Sequence, residues 1–261
     1  MFTKDQLKNQ LAGMGILPTD TVLIHTSLKA VGSVENGPDG FIDAFCEYLS
    51  EGLFLVPTHT WANVNKDNPV YDVRASAPCI GAVPRAAAFR PAGIRSLHPT
   101  PSIWGPGAAA ADFLRGEENA GSPAPVGFCW DRLADLGAKI LLIGVTHNRN
   151  TFIHSVDERV GLEDRLASTP YPVTIIDHDG NHLDRLMRPH FCSRSKDVSE
   201  YYVNFEEPLI QLGAQTSGRL GNATVRIVDA RSCREIVRRI YTRSTEDLFT
   251  AFHRIPEKLY L

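Results

Sequence analysis

The chain has 261 residues, 43% of them hydrophobic and 22% charged, a balance that suits an ordinary folded protein with room for one large core or two modest ones. A formal net charge of −3 excludes the basic footprint of a nucleic-acid binder, and such mild acidity fits a cationic or neutral small substrate without requiring one. The five cysteines (Cys46, Cys79, Cys129, Cys192 and Cys233) are odd in number and form no C-x-x-C; with no apolar run long enough for a span, they point to a reducing, cytoplasmic setting without a disulfide framework or cysteine zinc site.

In chain order, Thr3 followed three residues later by Gln6 predicts a capping box. Leu7, Leu11 and Met14 then share a helical face that Gly15 and Pro18 end. "TVLIHTSL", Thr21 to Leu28, is a β-rich apolar run that predicts a buried strand. A second helix carries Phe41, Ile42, Phe45 and Leu49 on one face and stops at Gly52. "LFLVPTHTW" and "KILLIGVT" predict two more buried strands. Between them lie two proline-bearing stretches expected to be irregular, 62–79 and 91–107, placed where α/β folds bind ligands. "YPVTIIDHDGNHLDRLM" predicts a hairpin about Asp179 and Gly180, and the strand "ATVRIVDA" stands between the helices "EEPLIQLGA" and "ARSCREIVRRIYTR". Apolar strands alternating with helices predict one α/β domain over 1–261: a mostly parallel central sheet with a smaller antiparallel addition.

Nine histidines invite a metal reading, yet H-x-H and H-E-x-x-H spacings are absent, so no metal is expected. G-x-S-x-G, G-x-G-x-x-G and P-loop motifs are absent as well, which removes the standard hydrolase, dinucleotide and triphosphate sites. After the first strand, "HTSLKAVG" offers Thr26, Ser27 and Lys29, hydroxyl and ammonium donors suited to an anionic or pantetheine-bearing ligand. "GIRSLHPTPSIWGPG" gathers Arg95, Ser96, His98, Thr100 and Ser102 in a loop stiffened by proline. In "HNRNTFIHSVDERVG", Asn150 or Thr151 can cap a helix whose first turns carry His154, Asp157 and Glu158. Residues at i, i+3 and i+4 share a face, so one carboxylate can orient the imidazole as a general base requires. Acids near a helix start also serve the helix dipole alone, and spacing leaves both roles open.

Taken together and in order, "HTSLKAVG", "GLFLVPTHTW", "RSLHPTPSIWGPG", "GVTHNRNTFIHSVDE" and "GRLGNATVRIVDAR" resemble the aminoglycoside 3-N-acetyltransferase family, the antibiotic N-acetyltransferases that use acetyl-CoA. The resemblance spans roughly residues 6–248. It implies an α/β/α layered fold, distinct from the GNAT fold, with a cleft between the sheet and the added strands. It also implies acetyl transfer from acetyl-CoA, a cosubstrate, to the 3-amino group of an aminoglycoside, with no metal. His154 matches the family's catalytic histidine, and Asp157 stands where members commonly have glutamate; aspartate is one methylene shorter, so neighbouring Glu158 is the alternative partner. Thr26, Ser27, Lys29, Arg95, Ser96, Thr100 and Ser102 fall in segments that line the family's CoA pocket. Asp72, in "NPVYDVRASAP", matches an acidic position suited to a cationic substrate.

The chemistry this implies is direct transfer from a ternary complex, which needs a base and an oxyanion site but no protein nucleophile. Other readings keep the CoA chemistry on a different amine, or replace it with a histidine-rich metallohydrolase or a non-catalytic CoA-binding protein. No nucleic acid or membrane partner is expected; a homodimer is compatible with the sequence, which says nothing of oligomeric state.

Overall fold

The computed structural model describes residues 1–244, 248 and 251–261; residues 245–247, 249 and 250 of the expected 1–261 domain lie outside the described residues. The capping box forms as the sequence predicts: Thr3 accepts from the Gln6 amide, and the Gln6 side chain returns to the Thr3 amide at 2.9 Å. It starts α1 (Lys4–Gly13), which runs into β1 (Thr21–Thr26), the short α2 (Leu28–Val31), α3 (Gly37–Tyr48) and β2 (Leu53–Pro57). The chain continues through β3 (Val70–Asp72), α4 (Ala82–Ala88), β4 (Gly93–Arg95), β5 (Ile103–Pro106), α5 (Gly107–Phe113), α6 (Cys129–Asp135) and β6 (Lys139–Ile143). It closes with α7 (Phe152–Val160), β7 (Tyr171–Ile176), β8 (His182–Met187), a 3-10 segment Val198–Phe205, α8 (Glu206–Gln211), β9 (Gln215–Leu220), β10 (Ala223–Asp229) and α9 (Ala230–Arg243).

Seven strands form one sheet in the order β4-β5-β2-β1-β6-β10-β9. Its strands alternate strictly between two cores. Leu23, Leu55, Ile140 and Leu142 face one side, with Phe113, Trp130, Phe152, Val156 and the apolar stripe of α9. Val22, Ile24, Phe54, Leu141 and Ile143 face the other, with Leu7, Leu11, Phe41 and Phe45. Along the middle of the central strands both faces are apolar because both are covered by helices, which is the physical content of the α/β/α layering. Each fully buried large side chain contributes about 1.5–3 kcal/mol.

The mostly parallel expectation is corrected. Only β1–β2 and β1–β6 pair in parallel; β10–β6, β10–β9, β2–β5 and β4–β5 are antiparallel. A continuous apolar run reports burial on two faces and carries no information on strand direction, so the central three strands misrepresent the edges. The 91–107 stretch, expected to be irregular, holds the β4–β5 hairpin that extends one edge, and β9 at the other edge escaped notice because "QTSGRL" is polar almost throughout and shows neither an apolar run nor alternation.

The predicted hairpin about Gly180, which sits at φ 89°, joins β7 to β8, and β3 pairs in parallel with β7 to complete a second, three-stranded sheet. Val64, Tyr71, Val73, Val173, Ile175 and Met187 form its own small core. The small sheet docks on the large one: the His178 ring at the hairpin turn bonds the Arg95 carbonyl at 2.9 Å, and the Tyr71 hydroxyl of β3 donates to the Ser96 carbonyl at 2.9 Å. At the carboxyl end of β6, Gly144 (φ 65°) allows a close approach to α2, where an added Cβ would lie 2.4 Å from the Ala30 Cβ. This turn aims the following segment back across the strand ends and into α7. No helix among the described residues is long and apolar enough to cross a membrane.

Candidate active site

The site lies beyond the carboxyl ends of β1, β2 and β6, where α7 begins. Phe152, Ile153 and Val156 of α7 are fully buried against the sheet, which fixes the helix and turns His154, Asp157 and Glu158 toward neighbouring elements. Thr151 takes the N-cap position but makes no cap bond; its hydroxyl instead bonds the His59 Nε2 at 3.1 Å. Here the cap expected from sequence is diverted into the site.

Asp157 is 1% exposed, and its Oδ2 lies 3.6 Å from the His154 Nδ1. Two tyrosine hydroxyls hold this carboxylate: Tyr202 donates to Oδ2 at 2.5 Å and Tyr241 to Oδ1 at 2.7 Å. The Tyr202 oxygen also lies 2.6 Å from the His154 Nδ1. With its own proton given to Asp157, Tyr202 accepts from Nδ1–H, so the arrangement assigns the proton to Nδ1. The Nε2 of His154 then carries a lone pair and has no protein hydrogen-bond partner among the described residues. Burial, reinforced by the Asp157 charge, pushes both phenols well above the ordinary tyrosine range, so they stay protonated as donors.

Glu158 turns elsewhere. Its carboxylate accepts from the Ser122 hydroxyl and from the Ala124 amide, the latter at 2.8 Å, and burial raises it above the usual carboxylate range. Ser122 in turn is tied to His98, whose Nε2–H donates to the Ser122 carbonyl at 3.0 Å while Nδ1 accepts the Thr100 amide at 3.2 Å. Of the two adjacent acids, the structure brings Asp157 to His154 and uses Glu158 to hold the 122–124 loop.

The residues in the expected CoA segments divide into two groups. Arg95 is 2% exposed and pairs with no carboxylate among the described residues. Its guanidinium bonds the Thr58 carbonyl at 2.9 Å, the Ser76 carbonyl at 2.7 Å and the Thr58 and Ser102 hydroxyls at 3.1 and 3.2 Å, and it lies 5.2 Å from the Tyr71 ring centre. Ser96 accepts the Ile103 amide at 3.0 Å, and Ser102 bonds Thr58. These side chains bind loop to loop. By contrast, the hydroxyls of Thr26 and Thr100 are buried without a partner, Ser27 caps α2 at 3.4 Å from the Ala30 amide, and the Lys29 ammonium is exposed. Asp72 closes a turn: its carboxylate accepts the Arg74 amide at 2.8 Å, and its own amide bonds the Ser76 hydroxyl.

Around the strand ends, five buried polar atoms lack partners among the described residues: His25 Nε2, Thr26 Oγ1, His59 Nδ1, Thr100 Oγ1 and Asn150 Oδ1. The rings of His25 and His59 both stack on Trp130, with centroids 6.1 and 5.6 Å apart. Buried polar atoms are almost always satisfied, so this concentration marks a place prepared for other hydrogen-bonding groups. Among the described residues no group of three His, Cys, Asp or Glu side chains is arranged to hold a metal ion.

Sequence reasoning missed Tyr202, Tyr241 and His190. Tyr241 was accessible in principle: Cys233, Ile236, Val237, Ile240 and Tyr241 form the buried stripe of α9, and a tyrosine at its end delivers a hydroxyl into the core. Tyr202 and His190 lie in segments without periodicity, and nothing local signals them.

A family model described as aminoglycoside 3-N-acetyltransferase matches residues 23–242. Aminoglycoside N(3)-acetyltransferase IV of a Salmonella species is 29% identical over 243 residues, covering 88% of this chain and 84% of its own length. Aminoglycoside N(3)-acetyltransferase VIII of Streptomyces fradiae is 27% identical over 261 residues, covering 87% of each chain. The crystal structure of aminoglycoside acetyltransferase AAC(3)-Xa superposes with a TM-score of 0.79 at 26% identity, covering 91% of this chain and 92% of that one. AAC-IIIb, solved as a binary complex with CoASH, shares the fold with a TM-score of 0.80 at 20% identity, covering 94% of this chain and 99% of that one. The chain belongs to the aminoglycoside 3-N-acetyltransferase family, whose members are N-acetyltransferases.

Proposed function

We propose that this protein transfers acetyl from acetyl-CoA directly to the 3-amino group of an aminoglycoside, with His154 as general base. The observation that carries the proposal is the chain His154 Nδ1–H to Tyr202 to Asp157, which leaves Nε2 open. In the proposed step Nε2 takes a proton from the acceptor nitrogen as that nitrogen attacks the thioester carbonyl carbon. The tetrahedral oxyanion then collapses to the amide, breaking the carbon–sulfur bond, and the CoA thiolate leaves as CoASH with the proton returned from the His154 imidazolium. Asp157 lies close enough to favour the imidazolium that forms, and Tyr202 keeps the ring turned so that Nε2 faces the acceptor.

Acetyl-CoA as cosubstrate is supported by the family and by the unpartnered Thr26 and Thr100 hydroxyls, suited to amide or carbonyl groups of a pantetheine chain. Ser27 and exposed Lys29 complete that wall, Lys29 meeting a phosphate. Arg95, Ser96 and Ser102 act in this reading by fixing the wall's shape. Hydroxyls of Thr26 and Ser27, or backbone amides of the 146–151 loop, are the candidates for the oxyanion. An aminoglycoside acceptor is supported by the named activity of the relatives; the partly exposed Asp72 carboxylate could meet a cationic acceptor only in competition with Arg74, whose Nε lies 3.5 Å from it. A different amine acceptor remains the competing reading, because acceptor choice resides in loops such as 62–79.

The test is a coupled CoASH-release screen over aminoglycosides and simple amines, run with the wild-type chain and with His154→Ala. Turnover on aminoglycosides that falls by about 100-fold or more in the variant, with CoA binding retained, supports both assignments. Near-normal turnover in His154→Ala removes the base, and turnover confined to simple amines removes the acceptor.

A further inference from the structure

The face of the proposed base is covered by a second imidazole. The rings of His154 and His190 stack with centroids 3.9 Å apart and an interplanar angle of 29°. Tyr202 meets the same His154 ring edge-on at 5.0 Å and 69°. The hydrogen bond at Nδ1 fixes one edge of His154, and the stack on His190 restricts rotation of the ring about its bond to Cβ.

The backbone goes to some length to bring His190 there. After α7, residues 164–167 run antiparallel to 189–193: Leu166 bridges His190, the Ala167 amide donates to the Pro189 carbonyl at 3.0 Å, and the Phe191 amide donates to the Arg165 carbonyl at 3.0 Å. Asp164 anchors the far end, accepting the Ser193 amide at 2.9 Å and the Ser193 hydroxyl at 2.8 Å. Asp164 does so from a left-handed conformation, φ 58°, which costs a non-glycine residue on the order of 1 kcal/mol. The common effect of these bonds is to set one ring against His154.

We propose that His190 is a positioning residue for acetyl transfer, stacking on His154 so that Nδ1 stays on Tyr202 and Nε2 stays toward the acceptor. The inference rests on His154 being the base. Around the pair stand Asp157 and Glu158 from α7, Tyr202 from the 3-10 segment, Arg165 from the loop after α7, and the His59 and His98 rings from the large-sheet loops. Burial first, then the neighbouring His154, holds His190 well below the ordinary histidine range. It therefore remains a neutral flat surface when His154 carries the proton, and does not compete for it.

Three substitutions decide the matter, each followed by kcat, KM for both substrates and thermal unfolding. His190→Ala removes the surface and should lower kcat about tenfold while leaving both KM values within about twofold, since misplacing a reacting group costs rate more than binding. His190→Phe restores a flat ring without any exchangeable proton and should recover kcat to within about threefold of wild type. His190→Leu fills the space without a planar face and should behave like His190→Ala; should His190→Ala fail to fold, the Phe and Leu pair carries the comparison. Unchanged kcat in the Ala or Leu variant overturns the proposal, as does a Phe variant as slow as either. In a His154→Ala background, adding His190→Ala should change the residual rate by less than about twofold; a full multiplicative loss there would mean that His190 acts independently of His154. Should His154→Ala itself keep wild-type turnover, the base assignment fails first and separately.

Discussion

Two polar, buried corners sit at the same end of the large sheet, and they differ in one respect. In the Arg95 corner, the guanidinium meets the carbonyls of Thr58 and Ser76 and the hydroxyls of Thr58 and Ser102. In the His154 corner, the Tyr202 phenol and the Asp157 carboxylate, itself held by Tyr241, converge on one side of a single imidazole and leave its other nitrogen open. A buried network closed on itself gives rigidity. A network that orients one group and leaves one atom unpaired provides what the proposed base requires. Both corners carry motif residues and both are largely buried, so burial and polarity alone do not distinguish them; completeness of pairing does.

The largest effect expected at this end of the sheet is acid destabilisation from two buried imidazoles outside the His154 pair, His98 and His25. Burial pushes His98 down to about 4 and His25 down to about 3. Unfolded, both titrate near 6.5, so between these values the unfolded chain binds more protons. The stability they contribute is complete above about pH 6.5 and is lost as pH falls toward 4 and then 3, on the order of 3–5 kcal/mol each. Thermal midpoints should be flat above about pH 7 and fall steeply below 6; equal midpoints at pH 7 and about 4.5 would contradict it.

Next in size is a pair of substitutions. His154→Ala should lower kcat about 100-fold or more with little change in unfolding. Arg95→Met should do the reverse, removing about 2–4 kcal/mol of stability by stranding buried carbonyls, with kcat per folded molecule within about threefold. An Arg95→Met protein that is fully stable yet inactive would erase the distinction between the corners.

Asp157→Asn comes next. The tyrosine hydroxyls still find the amide oxygen, but no negative charge remains beside the imidazolium, so kcat should fall on the order of 10- to 100-fold. Tyr241→Phe leaves Oδ1 of Asp157 short of one donor, so it should cost about 1–2 kcal/mol in chemical denaturation and only a few-fold in kcat. Smallest is Glu158→Gln, whose amide oxygen still accepts from Ala124; stability should change by less than about 1 kcal/mol and kcat by less than about twofold. If Glu158→Gln were the slower of the two acid variants, the assignment of Asp157 to His154 would fail.

Much of this molecule is written locally. The capping box at Thr3, the two-faced strands, the amphipathic stripe of α9 and the hairpin at Gly180 each follow from periodicity or turn chemistry over a few residues. The placement of His154 and Asp157 on one helical face follows from i, i+3 spacing, and the ordered motifs led to the family that the chain matches. Spacing was silent on which of the two adjacent acids reaches the ring, because both positions share the face; Ser122 and Ala124, more than 30 residues away in the chain, capture Glu158.

Tertiary structure alone decided the rest. Strand direction at the sheet edges depends on which strands become neighbours, and an apolar run looks the same either way. Tyr202 and Tyr241 reach Asp157 from 45 and 84 residues away, and His190 arrives on a loop with no pattern of its own. Arg95 in its polar loop read as a ligand-facing cation, and only packing showed its donors answered by carbonyls and hydroxyls. Periodicity reports which side of an element is buried; which atoms meet there, and which one is left open, is fixed by how distant elements pack.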